Sequence, residues 1–265
     1  MNNLTRNGDH VKAVVQAVEY MKKNLDKEIT TEELASLVGY SSFHFSRFFK
    51  EVTGISPRHY LSALRIEAGK QMLVRHSSPS IIKTMMSIGF SSLGSFSAKF
   101  KQFVGLPPKQ FQVTTNDLYH FVNQYTEGEN SVIQYFHPPV LTCHIEAPAQ
   151  FKGFIFVGLF PRPIPDERPA IGTAFTQKQS SCIFSQIPTG TYYALAAGIP
   201  LSMNPKDYFL LEHAFRGMYD DPIHVTGTTD KEIHIKLRSP LPFDPPILIN
   251  LPQLLLEQVQ KVRKK

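Results

Sequence analysis

Residues 39–60 read GYSSFHFSRFFKEVTGISPRHY, and residues 89–111 read GFSSLGSFSAKFKQFVGLPPKQF. Both open on Gly, an aromatic and two serines, carry Phe at helical spacing, and close on Gly, Pro and an aromatic. In the first copy Ser41 or Ser42 caps the helix FHFSRFFKEV, which stops at Gly54. Phe45, Phe48, Phe49 and Val52 form its inward stripe, leaving Ser42, Phe43, Ser46, Arg47 and Lys50 on the outer side.

The flanks extend the pattern. In ITTEELASLVGY, Thr30 and Glu33 have capping-box spacing and open a short helix. Gly39 lies four residues past Ala35, the spacing of a tight turn between closely crossing helices. Upstream, Asp9 is positioned to cap a helix bearing Val11, Val14, Val15, Val18, Met21 and Leu25. Downstream, Ser56-Pro57 starts a long helix to about Arg75, and Ser78-Pro79 starts another. Gly89 follows Met85 at the same spacing. Ser91 or Ser92 leads into GSFSAKFKQFV, and Pro107-Pro108 begins a last short helix. The order is helix–turn–helix, connecting helix, helix–turn–helix.

The outer face of the first helix suits base edges. Arg bonds guanine, Ser reaches bases or phosphates, and an aromatic packs on a thymine methyl. One such unit alone reads equally well as a plain helical hairpin; the duplication favours a helix that enters the major groove. Aligned on Phe45 and Phe96, Arg47 falls opposite Ala98 and Phe43 opposite Gly94. The second helix keeps Ser92, Ser95 and Lys99 as polar groups, so its half-site is expected to be read weakly. Charge agrees: residues 1–115 hold 15 Lys/Arg against 8 Asp/Glu, whereas residues 116–265 hold 13 against 14. Excess positive charge on one half is the electrostatic pattern of a nucleic-acid module.

On ITTEELASLVGYSSFHFSRFFKEVTGISPRHY, the connecting ALRIEAGKQML, and IGFSSLGSFSAKFKQFVGLPPKQF, residues 9–113 resemble the DNA-binding domain of the AraC/XylS family of bacterial transcription regulators. The resemblance implies seven helices, two recognition helices in successive major-groove segments, and double-stranded DNA and RNA polymerase as partners. It places Phe43, Ser46 and Arg47 at base-reading positions, and Gly94, Ser95, Ala98 and Lys99 in the corresponding region of the second helix. Met85 departs from the small residue usual at the helix crossing. Gly69 stands where Ala is usual, as a hinge between subdomains or as a close-packing residue.

The second half changes character, with 16 of the 20 prolines after residue 115. Residues 114–139 are read as a linker and the first strand of a second domain, residues 140–265. FKGFIFVGLF, AIGTAF, SCIFSQIPTGTYYALAAGI and KEIHIKLRSP are short apolar or alternating runs, read as strands. Ile233, Ile235 and Leu237 share one face of the last, His234 and Lys236 the other. Gly190 is assigned the turn before TYYALAA, and NPKDYFLLEHAFRGM is read as a helix. The order resembles prealbumin-like β-sandwich modules such as those accessory to carboxypeptidases. A GyrI-like effector domain is the rival, but it expects two helices. The fold expected is therefore an all-α double helix–turn–helix domain followed by a mainly-β sandwich, with the amphipathic tail (Leu254, Leu255, Val259, Val262) docking on its own domain or pairing a homodimer.

Three functions are open: a regulator whose second domain senses a small molecule or partner, a constitutive DNA binder with a structural or dimerising second domain, and an enzyme. Phe156, Tyr192, Tyr193 and Tyr208, with Phe154 and Phe160, are the ligand-lining candidates, though strand aromatics are usually core. PRPIPDERP is read as a lid or a rigid surface crossing. The enzyme reading is weakest: His144 beside Cys143, His213 near Glu212, and His224 near Asp220 and Asp221 have no nucleophile, base or metal spacing. No catalytic residue, metal or cofactor is expected. Cys143 and Cys182 are read as reduced core thiols. Without a long apolar run, the protein is expected to be cytoplasmic.

Overall fold

The structure, a computed structural model, describes residues 2–75, 80–114 and 138–263. The chain divides into two units, Met1–Gln112 with Leu241–Leu248, and Val113–Pro240 with Ile249–Lys265. The expected linker, 114–139, and Ser78-Pro79 lie almost wholly outside the described residues.

The first unit is helical: α1 Asn2–Lys23, α2 Thr31–Leu37, α3 Ser42–Thr53, α4 Pro57–Arg75, α5 Ile81–Ser87 and α6 Leu93–Val104, with residues 108–114 beginning α7. Thr30 caps α2 through Glu33 N–H at 3.1 Å, and the Glu33 carboxylate accepts the Tyr20 hydroxyl. Ser41, rather than Ser42, caps α3, and Ser92, rather than Ser91, caps α6. Two expectations are corrected. Asp9 lies inside α1, where its carboxylate pairs with Lys12 one turn on at 3.7 Å. The cap of α5 is Ser80, which accepts from Lys83 N–H. A third is refined: Val52 is half-buried and Thr53 takes the core position, its hydroxyl 2.8 Å from the Phe49 carbonyl.

The core of this unit is the phenylalanine stripe of both copies, with Phe45, Phe49, Phe96, Phe100 and Phe103 wholly buried. Gly69 proves to be a close-packing residue. A β-carbon there would lie 3.1 Å from Ile88 and 3.4 Å from the Phe96 ring. Next to it, Lys70 is buried, donating to the carbonyls of Leu248 at 2.9 Å and Ile247 at 3.3 Å. Burial lowers its ammonium pKa to about 8 from 10.5, with Glu67 pulling the other way. Folding therefore releases a proton between these values, and stability grows as pH rises from about 8 to 10.5. That gain is lost as pH falls through 8. Urea unfolding across this window is expected to show the slope in the wild type and a flatter one in Lys70→Met; equal slopes would refute it.

The second unit holds eight strands among the described residues: β1 Val140–Glu146, β2 Gly153–Phe160, β3 Ile171–Thr176, β4 Ser181–Ser185, β5 Gly190–Pro200, β6 Phe215–Met218, β7 Ile223–Val225 and β8 Asp230–Lys236, followed by α8 Leu251–Arg263. They form a three-stranded sheet, β4-β1-β8, and a five-stranded sheet, β3-β2-β5-β6 with β7 also on β5. One core cluster draws on both sheets, from Leu141 and Ile233 to Ile155 and Ala194. The alternation of KEIHIKL is realised, with Ile233, Ile235 and Leu237 buried.

Residues 204–218 do not form the expected helix. Asn204 caps a 3-10 turn, Pro205–Tyr208, a second turn covers Leu211–His213, and β6 follows. Tyr208, Phe209, Leu211 and Ala214 are all buried; that cluster spreads over more than one face of a helix, whereas irregular turns can bury it all. Gly190 is not the positive-φ residue of its turn, which is Gln186 at φ 56°. Gly190 instead makes room for Tyr192, whose hydroxyl donates to the Pro188 carbonyl at 3.0 Å.

Candidate nucleic-acid interface

The turns before α3 and α6 are built alike. Tyr40 N–H donates to Ala35 O at 2.9 Å and Phe90 N–H to Met85 O at 3.2 Å, each across a left-handed glycine, Gly39 and Gly89. This six-to-one bond satisfies carbonyls at the end of the first helix and fixes the angle at which the second departs. The buried stripe then decides which side of α3 and α6 is left outside.

On α3, Phe43 is 81 % exposed, the most exposed Phe or Tyr among the described residues. Arg47 and Lys50 are exposed beside it, while Ser42 and Ser46 are half-buried. Arg47 Nε lies 3.8 Å from Glu51 Oε1, with both side chains more than half in solvent. Such a pair is worth about 0–1 kcal/mol and is screened by salt, so Arg47 is readily released to another acceptor.

The matching surface of α6 is plainer. Ser92, Gly94, Ser95 and Ala98 are exposed, and the Ser92 hydroxyl bonds that of Ser95 at 2.9 Å. Lys99 is half-buried: it falls at the position of Phe48, its ammonium 4.9 Å from the Phe103 ring centroid and 3.3 Å from Gln102 Oε1. Two residues overlooked in the sequence complete the face. Leu93 is 47 % exposed opposite Ser42, and Lys101 is exposed opposite Lys50. Aligning the copies would have found both, because equal helix register means equal outward direction.

Residues 34–113 match the family model described as a helix-turn-helix domain. They form a helix-turn-helix domain. YobQ of Bacillus subtilis, an uncharacterized HTH-type transcriptional regulator, is 31 % identical over 37 % of this chain and 40 % of its own. The HTH-type transcriptional regulator ArgR of Pseudomonas aeruginosa is 36 % identical over 37 % of this chain and 29 % of its own. The matched stretch therefore spans well under half the length of these curated relatives. A solved AraC-type transcriptional regulator from Chromobacterium violaceum is 28 % identical over 39 % of this chain and 91 % of that one, with a TM-score of 0.37. The matched domain takes in both glycine turns and both helices, α3 and α6.

Of the aromatic residues proposed to line a ligand site, Phe154, Phe156, Phe160 and Tyr193 lie on one face of the five-stranded sheet, and Tyr192 lies on the other. β2 and β5 pair so that Phe156 faces Ala197 and Phe160 faces Tyr193. Phe156 and Tyr193 thus share one face of the five-stranded sheet, and Tyr192 points to the other, into the shared core. Tyr208 is buried with its ring against Phe154 at 6.4 Å. PRPIPDERP is a packed crossing: Ile164 and Asp166 are fully buried and Arg162 pairs with Asp166 at 3.3 Å and Glu167 at 2.9 Å. His144 stacks on His234 at 4.8 Å and lies 3.4 Å from Glu232, while His224 bonds the Thr191 hydroxyl. No group of three or more metal-ligating side chains occurs among the described residues, and none of their helices is long and apolar enough to cross a membrane. Cys143 and Cys182 are free, buried cross-strand neighbours; the Cys182 thiol and burial both push the Cys143 thiol up.

Proposed function

We propose that the protein is a sequence-specific DNA-binding transcription regulator that sets α3 and α6 in successive major-groove segments of double-stranded DNA. The observation that carries this is the outer face of α3. An 81 % exposed Phe stands beside Arg47 on a helix whose opposite side is sealed by buried Phe. Leaving that aromatic in water has no benefit for folding; against a thymine methyl it is buried. Arg47 supplies the bidentate donor for guanine, and Ser42, Ser46 and Lys50 reach neighbouring phosphates or bases. On α6, Ser92, Ser95 and Lys99 position the helix on the backbone, and Leu93 offers only an apolar contact. Selection of bound sequences from a random pool tests the reading: one strongly specified half-site and one weak half-site about a helical turn away are expected.

Lys99→Ala is expected to weaken binding about evenly across sequences and to lower the salt slope by about 1. Titrations at several salt concentrations decide it. An unchanged slope would make Lys99 a packing residue over Phe103.

The β-rich unit, read as a sandwich, is proposed to be an effector or partner module that adjusts this binding, with RNA polymerase as the partner at promoters. Thermal-shift screening of the full chain against metabolites tests effector control. A ligand that stabilises the protein and changes DNA affinity supports it; stabilisation by none favours a constitutive binder.

A further inference from the structure

The helical unit contains a segment from outside the matched helix-turn-helix domain. Residues 241–248 belong to it although about 130 residues separate them from α7. The strap grips α4 at two places. The Tyr60 hydroxyl donates to the Asp244 carbonyl at 2.9 Å, and the Lys70 ammonium donates to the carbonyls of Ile247 and Leu248. Ile247 and Leu248 are buried there, and a turn closed by Leu241 N–H on the Asp244 carboxylate at 2.7 Å shapes the other end.

The two grips are not equivalent. Tyr60 packs edge-on against Phe49 of α3 at 5.4 Å, so the first grip lies behind the first reading helix. Lys70 follows Gly69, which packs on Ile88 and Phe96 of the second copy, so the second grip lies behind the second. Ten residues of helix, roughly 15 Å, separate them. Between them Arg65 donates to the carbonyls of Leu25 and Lys27 at the entrance to the first copy. One helix thus carries both copies, and the strap runs along it from one to the other. Here a buried ammonium is committed to backbone carbonyls, an arrangement that costs much to desolvate and depends on those acceptors staying in place.

We propose that residues 241–248 are a splint along α4 that fixes the angle between α3 and α6, and that Tyr60 and Lys70 are the positioning residues that hold it. The functional consequence rests on the reading that α3 and α6 both bind DNA. Both ends of the strap continue into the β-rich unit, at Pro240 and Ile249.

The test uses the full chain in three variants: Tyr60→Phe with Lys70→Met, Lys70→Met alone, and residues 241–248 replaced by an equal length of Gly and Ser. Spin labels at the exposed Lys50 and Lys101 report the distance between α3 and α6. The splint predicts a broadened distance distribution in the Gly/Ser variant and an intermediate one in the double variant. It also predicts that affinity for DNA carrying both half-sites falls at least about tenfold while affinity for the strong half-site alone is kept, since a fixed second head raises effective concentration. An unchanged distance distribution, or an equal fall on both DNAs, overturns the proposal. A wild type that binds neither DNA sinks the DNA-binding reading instead, and the distance measurement still decides the splint.

Discussion

Gly89→Ala is expected to lower the stability of the protein by about 2–5 kcal/mol, and Gly39→Ala, at the same place in the other copy, by only about 1–2 kcal/mol. Both glycines are left-handed, at φ 76° and 78°, so both variants carry the same backbone strain. They differ in what surrounds them. A β-carbon at Gly39 meets nothing within 4 Å, whereas at Gly89 it would stand 2.5 Å from the Leu25 carbonyl oxygen and 2.9 Å from the Arg65 guanidinium. The guanidinium is itself bonded to that same carbonyl at 3.0 Å, so neither neighbour can withdraw without breaking the other's contact. Urea or thermal unfolding of the two variants measures the difference. Equal losses would mean that the packing behind Gly89 relaxes freely and that only strain matters.

Arg47→Ala is the second large effect, on binding and not on folding. The guanidinium is exposed and its pair with Glu51 is a long one, 3.8 Å, so removal should leave stability within about 0.5 kcal/mol. Specific DNA binding is expected to weaken by about 1–3 kcal/mol, with relaxed preference at one base pair of the strong half-site. The same change in both a selected site and a scrambled one would mark Arg47 as a phosphate contact. No change in either would remove it from the interface. The contrast with Lys99→Ala is the useful one: loss of sequence preference against loss of salt dependence.

The helical unit was largely legible in the sequence because its information is local. Ser41 and Ser92 cap, Gly54 and Gly105 stop, and Phe spacing sets the buried side, each within a few residues of where it acts. Comparing the two copies then separated what builds the fold from what faces outward, and the structure leaves Phe43, Arg47 and Lys50 exposed on α3. The α6 face was read less fully. Leu93 and Lys101 went unnoticed, and Lys99 sits further toward the packed side than a surface lysine.

The β-rich half was legible only strand by strand. Alternation in KEIHIKL and the apolar run of β2 announce strands, but a short apolar cluster such as YFLLEHA carries no period that separates a helix from buried turns. Sheet order was beyond reach as well, since β1 pairs with β4 and β8, neither of them adjacent in the chain. Which aromatic candidates share a face was likewise hidden: Tyr193 lies with Phe156, and Tyr192 opposite it, only because β2 and β5 meet in one particular register.

By itself the sequence determined a duplicated helix–turn–helix, its caps, its buried stripe and the uneven chemistry of its two outer faces, because helices are specified by neighbours three and four residues apart. The tertiary structure decided what depends on residues far apart: that Gly69 packs where a hinge was also conceivable, that Gly89 but not Gly39 is crowded, and that Lys70 is buried against carbonyls 177 and 178 residues away. A lysine in a helix reads as a solvated surface residue until the acceptors that bury it are brought in by the rest of the chain.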